Sequence, residues 1–307
     1  MAIQKQVWVS DIAENMFPDN SVINQSLDDS ENLDNRTVNL PQAGSKPNVE
    51  VNRSSFPANV STRVDSVISY DVDEFTTDPV VVRRTEEIEV SYDKRKSVLR
   101  DHLEALSTSI CNTLLFKWAA TSGATIVRTT GTDRPAAITG QTGTRKRMTL
   151  DEFIKARNLF DRMDIPQENR VACLTADHYS DLLADPELRK QISNPPVNLI
   201  SGAVGTLMGF TIFTRSSTVM YTNASTPVLK AVGAAVGATD NEASMFWHPS
   251  YVRKAVGTDT NGGIEVFEQA GSPDHYGDIF SALVRGGGIP RYTDKRGIVS
   301  VVAAAGA

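Results

Sequence analysis

Residues Ser91–Ala120, SYDKRKSVLRDHLEALSTSICNTLLFKWAA, have the spacing of one long helix. Apolar side chains at Leu99, Leu103, Leu106, Ile110, Leu114 and Trp118 follow at intervals of four, three, four, four and four, which keeps them on a single stripe. Asp93 stands in the first turn, where the helix dipole favours negative charge, and neither Gly nor Pro occurs before Gly123. At 1.5 Å per residue such a helix runs about 40 Å, longer than the usual three or four turns. Its opposite face is charged and wet, so the helix reads as a beam that something must lie across.

Upstream, Ser61–Val90 alternates apolar and polar residues through Ser66, Ile68, Tyr70 and Val72. It turns at Thr76–Pro79 and returns through Val80–Val82 and Ile88–Val90. This predicts a two-stranded antiparallel ribbon feeding the helix, and an isolated ribbon is marginal in water without partners beyond itself. The first sixty residues are rich in Asn, Ser and Asp and carry eight acidic against four basic side chains. Only Ser10–Phe17 reads as a short helix and Thr37–Leu40 as a short strand. A segment this polar buries too little apolar surface to fold alone; if ordered, it is expected to be held by a neighbouring subunit.

Downstream, Thr121–Met148 is Gly- and Thr-rich, ends in the cationic run Arg145, Lys146, Arg147, and is expected to be a solvated loop. Thr149-Leu-Asp-Glu152 is a capping box opening a helix to Met163 with Phe153, Ala156, Phe160 and Met163 on one face. Arg170–Leu174 reads as a strand, and Thr175 or Asp177 opens a helix to about Leu183, followed by a turn at Asp185–Glu187. Phe210–Thr214 is a buried strand, Ser244–Ala255 a strand with a helix, and Gly263–Gln269 a strand. Asp278–Leu283 is a strand or short helix, Gly286–Gly288 a hinge, and Ile298–Ala303 a closing strand. The pattern is α+β, without internal repeats.

The 307 residues suffice for one large or two ordinary domains. The net charge of −6 argues against a protein whose main business is gripping phosphates. Cys111 and Cys173 lie in stretches that read as buried helix and strand, without disulfide or zinc spacing, which suits a reducing compartment. No signal-peptide pattern and no apolar run of about 18 residues is present, so secretion and membrane insertion are not expected.

Motifs for catalysis are missing. The glycines around Gly205 lack dinucleotide-fingerprint spacing, and Gly140–Lys146 fails the phosphate-loop spacer. The histidines at 102, 178, 248 and 275 have no paired ligand spacing; His102 reads as solvated and His248 as packed. No nucleophile elbow or cysteine signature occurs. No enzyme activity, cofactor or metal is therefore expected.

The order of parts, together with VWVSDIAENMF (7–17), TVNLPQAG (37–44), SGAVGTLMGFTIFTRS (201–216) and GGGIPRYTDKRGIVSVVAA (286–304), resembles the major capsid protein of tailed bacteriophages, with the Hong Kong 97 capsid fold. The likeness runs through essentially the whole chain. It implies an N-terminal arm at 1–57, an extended E-loop ribbon at 58–90 and a peripheral domain at 91–165 with a spine helix at 91–120. An axial domain would occupy 166–272, with strands returning to the peripheral domain at 273–307. It implies a structural protein that self-assembles as pentamers and hexamers into an icosahedral shell around double-stranded phage DNA. The virion would be its location, the bacterial host cytoplasm its place of assembly, and a separate scaffolding protein and a portal its partners.

On that reading the ribbon acids Asp71, Asp73, Glu74 and Asp78 are candidates to dock on an adjacent subunit's Lys94, Arg95, Lys96 or Arg100. Arg145, Lys146 and Arg147 are candidates to meet acids of a neighbour. Some family members weld their shells by an isopeptide bond between an E-loop lysine and an asparagine near the return strands. Residues 58–90 hold no lysine and 276–307 no asparagine, so no such weld is expected. The alternatives are an encapsulin-type compartment, which shares the fold but encloses enzyme cargo, and a cytosolic α/β enzyme with a polar tail.

Overall fold

The computed structural model describes residues 18–34, 36–44, 46–58, 60, 62–83, 94–136, 138, 140–185, 203–257 and 264–306. The expected helix at 10–17, the return strand at 88–90, the helix start at 91–93 and the turn after Asp185 lie outside them.

The long helix spans Lys94–Trp118. It lies on a six-stranded sheet whose centre is the fourteen-residue strand Gly277–Pro290. One edge of that strand pairs with Val252–Gly257 and then Glu265–Ser272, and its other edge with Asp73–Thr76 and then Val80–Arg83, all antiparallel. Burial alternates along it, with Phe280, Ala282 and Val284 turned to the helix side and Ile279, Ser281 and Leu283 half-buried on the other. Gly286–Gly288 is not a hinge. It is strand, and its missing side chains are what let the helix approach: a Cβ on Gly288 would stand 2.6 Å from Leu114 Cδ2 and 2.4 Å from the Arg253 carbonyl oxygen.

Helix register follows the sequence stripe only in part. Leu106, Ile110, Leu114 and Trp118 are buried with Cys111 and Leu115 beside them, whereas Leu103 is 38% exposed. The burial is two-sided because a second sheet also meets the helix. That sheet runs Ala203–Leu207, Phe210–Arg215, Arg170–Thr175, Asn241–Trp247, Ile298–Val302, Ile126–Arg128, with Val219–Tyr221 also on Asn241–Trp247. Its central strands Arg170–Thr175, Asn241–Trp247 and Ile298–Val302 are covered on both faces, so neighbouring residues that point opposite ways are both buried. Val171, Cys173, Met245 and Trp247 join the long-helix core, while Ala172, Leu174, Phe246, Val299 and Val301 face a second core.

The second core is built by the helix Leu150–Arg162. Thr149 and Glu152 close the capping box reciprocally, and Phe153 and Phe160 descend onto Phe210 and Phe246 in edge-to-face contacts with centroids 4.9 to 6.1 Å apart. A third helix, Ala176–Leu183, is capped by Thr175. Between Asn241–Trp247 and Val252–Gly257 the chain makes only a 3-10 turn at Pro249–Tyr251, so the helix expected within 244–255 is absent. Pro249 with His248 as cap favours that tight turn over a longer helix.

Among the described residues, the ribbon expected within 61–90 does not pair with itself. Ser66–Asp71 pairs instead with Thr37–Gln42, forming a hairpin whose connecting loop is residues 43–65, and Asp73–Thr76 and Val80–Arg83 become strands of the helix-bearing sheet. The alternation at 66–72 does specify strand, but which strand it meets depends on residues far away in sequence.

Candidate assembly surface

The polar N-terminal segment is held by its own chain. Val22 enters the long-helix core, and Leu27–Asp28 adds a short parallel strand to Arg253–Lys254. Asn20 Nδ2 donates to Ser107 and Thr108 hydroxyls on the helix at 3.3 and 3.2 Å, and Arg215 Nη2 donates to Asn20 Oδ1 at 3.1 Å. Trp247 Nε1 donates to the Gln25 carbonyl at 2.8 Å, and Lys254 Nζ to Asn24 Oδ1 at 2.8 Å. Asp29 is buried, pairing with Arg253 at 2.6 Å and accepting from the Tyr70 hydroxyl at 3.4 Å. Burial, then the Asp29 charge, pushes the Tyr70 hydroxyl well above its ordinary range, and burial lowers Lys254. The expectation that a neighbouring subunit holds this segment fails for residues 18–34. Short polar side chains suffice because they satisfy groups along a sheet edge and a helix flank.

The candidate contact residues scatter. Asp71 accepts from the Thr37 hydroxyl at 2.9 Å across its hairpin. Asp73 pairs with Lys117 at 2.5 Å and Glu74 with Arg285 at 3.7 Å, both within the chain, and Asp78 is exposed. Lys94 opens the helix; Lys96 and Arg100 lie exposed along it. Arg95 pairs with Glu268, its guanidinium 5.0 Å from the Phe280 ring centre. The ribbon acids and the helix cations are thus not brought together in one chain: Arg95 and Lys117 stand about 33 Å apart along the helix.

Arg145 is not on a solvated loop. Strand Thr144–Lys146 pairs with Asp133–Pro135, and the chain end reaches it through Gly306 N to the Thr144 carbonyl at 2.8 Å. Arg145 is buried and grips the buried Asp181 carboxylate at 2.5 and 3.2 Å, with Arg134 at 2.9 Å and the Met148 amide at 3.0 Å completing its shell. A carboxylate with four donors holds an arginine inward against its preference for water. Lys146 remains at the surface, 3.3 Å from Asp133, and Arg147 is half-buried.

Other titrating groups are buried or half-buried. Burial, then Arg145, holds His178 down at about 4, its Nδ1 2.7 Å from Ser244 Oγ. Burial, then Asp177, pushes Glu242 up to about 7. His102 is buried rather than solvated and His248 is packed against Tyr251. The Cys111 and Cys173 thiols are raised by burial to about 11 and about 12, which makes them unreactive. Among the described residues no cluster of three or more His, Cys, Asp or Glu is placed to hold a metal, and no helix is long and apolar enough to cross a membrane.

Exposed apolar side chains include groups on two features outside the core. The loop closing the 37–71 hairpin presents Val49, Val51, Phe56, Val60 and Val64 at 79 to 92% exposure. The strand Glu265–Ser272 presents Val266 and Phe267 at 46 and 52%. The loop straddles the expected boundary between the N-terminal arm at 1–57 and the E-loop at 58–90, and the two-residue spacing of Val49 and Val51 inside KPNVEVNR is its signal in the sequence.

Residues 110–276 match a family model described as phage capsid protein. The fold is similar along nearly its full length to solved phage structures. A Mycobacterium phage Che8 chain is 15% identical with TM-score 0.64, covering 98% of each chain. A chain from the capsid of Ralstonia phage GP4 is 11% identical with TM-score 0.66, covering 99% of this chain and 96% of that one. One from the capsid of cyanophage P-SCSP1u is 12% identical with TM-score 0.66, covering 99% and 94%. No curated protein matches in sequence.

Proposed function

This chain belongs to the phage capsid protein family, with the Hong Kong 97-type α+β fold, and from that premise we propose that it is the major shell subunit of a tailed phage. Copies associate as pentamers and hexamers into an icosahedral shell around double-stranded DNA, in the virion, after assembly in the bacterial host cytoplasm. A separate scaffolding protein and a portal assist. The observation that carries the reading is the 37–71 hairpin: a closed, well-packed body extends a loop of exposed Val and Phe that its own core leaves outside. Apolar residues so placed are stable when another copy covers them, and extended elements give each subunit many neighbours without a larger body.

The parts then divide along the hairpin and sheets. The N-terminal arm ends where Thr37 opens the hairpin, the E-loop is the hairpin itself, and the peripheral unit is the long helix with its six-stranded sheet. The seven-stranded sheet with the second and third helices forms the axial unit. Asp78, Lys96, Arg100, Lys146 and the surface acids around the hairpin remain intersubunit contacts in this reading. The E-loop so defined carries Lys46, so the missing weld rests on the absence of asparagine from residues 276–307; boiled particles run as monomers on a denaturing gel.

Electron microscopy and sedimentation of the purified chain test the proposal. Closed shells, or rings of five and six, support it, and nucleic acid inside particles from lysates distinguishes a genome container from an enzyme-holding compartment. A lone monomer or dimer, with and without lysate, overturns it.

A further inference from the structure

Arg134, Arg145, Arg170 and Arg253 each hold a carboxylate at 2.5 to 2.9 Å. A second set of cations has none. The helix Leu150–Arg162 and the strand Ile126–Arg128 enclose a groove of about 390 Å³ whose polar lining is Arg128, Lys155, Asn158 and Arg162, with no acid among its lining residues. Lys155, Asn158 and Arg162 share one helix face because they stand three and four positions apart. The strand is the outer one of its sheet among the described residues, so the groove lies along a sheet edge.

The charges in this groove are left over once the neighbouring groups have paired. Arg128 Nη1 donates to the Ala224 carbonyl at 3.2 Å and Nη2 to Asn223 Oδ1, neutral acceptors that fix the guanidinium without neutralising it. Asp161 pairs with Arg170 at 2.7 Å and reaches Arg157 at 3.7 Å. Buried Glu152 lies 4.0 Å from Lys155, but its two oxygens accept from the amides and hydroxyls of Thr130 and Thr149. Asp151, one turn ahead of Lys155, does not line the groove. Among the described residues neither Arg128 nor Arg162 forms an ion pair. Cations gathered without counter-ions repel one another, a cost that an anionic ligand removes.

Spacing and lining narrow the choice of anion. Lys155 and Arg162 stand about 10 Å apart along the helix, the rise of about three phosphates on one DNA strand. Arginine forks grip phosphate oxygens in pairs, and an Asn amide between them adds a donor. The apolar lining is recessed, with Val127 buried and Ile126 and Leu159 half-buried, which leaves little to anchor an acidic protein helix. We propose that this groove seats the phosphate backbone of duplex DNA, with Arg128, Lys155 and Arg162 as its points of contact. This rests on the shell reading and deepens it: a chain of net charge −6 touches the enclosed genome at a defined, sequence-independent place. Each copy binds weakly and salt-sensitively through so few phosphates, and the many copies of a shell add up.

Fluorescence anisotropy of a labelled duplex of about 20 base pairs, titrated with the full chain at several salt concentrations, tests this. The logarithm of the binding constant is expected to fall against the logarithm of salt concentration with a slope of about −2.7, the value for three phosphates. Lys155→Gln with Arg162→Gln, both exposed side chains, is expected to weaken binding about tenfold at low salt and to flatten the slope by about 1.8, with the thermal melt unchanged. Asn158→Asp, which sets a carboxylate between the cations, is expected to weaken binding as well, and Lys155→Arg to keep it. Undiminished binding by the double variant and by Asn158→Asp, or no binding by the parent chain at low salt, overturns the proposal. Tighter binding of a poly-glutamate peptide than of the duplex, lost in the same variants, assigns the groove to an acidic protein segment and overturns it too. Microscopy of the same preparations separates the two readings: shells without duplex binding overturn the groove alone, and duplex binding without shells overturns the shell reading alone.

Discussion

Residues 18–34 and residues 46–64 share an Asn- and Ser-rich character, yet fare oppositely. The first, mostly polar, is fastened to its own body by Asn20, Asn24, Gln25 and Asp29; the second, which carries Val49, Val51, Phe56, Val60 and Val64, stands outside it. Hydropathy predicts the reverse. Burial follows the partners within reach: the first segment runs beside unpaired backbone at Val252–Gly257 and hydroxyls on the long helix, while the second leaves on a hairpin past the end of the sheet. Polar groups are worth burying where donors and acceptors are already placed. Apolar groups that find no groove in their own chain stay exposed.

The largest expected effect is at Asp29. Asp29→Ala leaves Arg253 and the Tyr70 hydroxyl without their acceptor and is expected to destabilise the unassembled chain by about 3 kcal/mol in denaturant unfolding. A loss under about 1 kcal/mol would mean the segment is laid on the body rather than fastened to it.

Next come the half-buried Glu242 and the buried His178, which sharpen the rule that polar groups taken from water need partners. Glu242 rises folded from its ordinary 4.5 to about 7, so it binds its proton more tightly when folded and its effect lowers stability as pH climbs through that window. His178 falls from 6.5 to about 4, so its effect lowers stability as pH drops from 6.5 toward 4. Glu242→Gln is expected to stabilise the chain by about 2 kcal/mol at pH 8 and by little at pH 4.5; thermal melts across pH measure it, and a pH-independent gain contradicts the assignment.

A smaller effect is expected from Trp247→Phe, which keeps the ring in the core but removes the donor to the Gln25 carbonyl. About 1 kcal/mol should be lost, and amide exchange should rise across residues 21–30 more than in the sheet. The smallest effect is at Phe56. Phe56→Ser should change the stability of the unassembled chain by less than about 0.5 kcal/mol while lowering the yield of particles. A stability loss like that of Asp29→Ala would place the loop on its own body and erase the contrast between the two segments.

Much of this fold is legible in the sequence. Leu106, Ile110, Leu114 and Trp118 lie on the buried face the 3.6-residue period assigns them, the Thr149–Glu152 box caps its helix, and the strands at 170–175, 210–215 and 298–302 are the apolar runs they looked like. Leu103 shows the limit of the stripe: it shares the period but is 38% exposed, left uncovered among the described residues. The candidate contacts were less legible. Asp73 and Lys117 are 44 residues apart and Arg145 and Asp181 are 36 apart, and nothing local marks either pair.

The sequence by itself determined the long helix, the two-sided burial of the central strands and the caps, because these depend on side-chain period and on neighbours within a turn or two. Tertiary structure alone decided that Ser66–Asp71 pairs with Thr37–Gln42, that Gly286–Gly288 seats a helix rather than bending a chain, and that Arg145 turns inward. It also decided that a polar segment is bound while an apolar loop stays out. Those outcomes hang on contacts between residues distant in sequence, where the same alternation or charge run is compatible with several partners and only the assembled sheets select one.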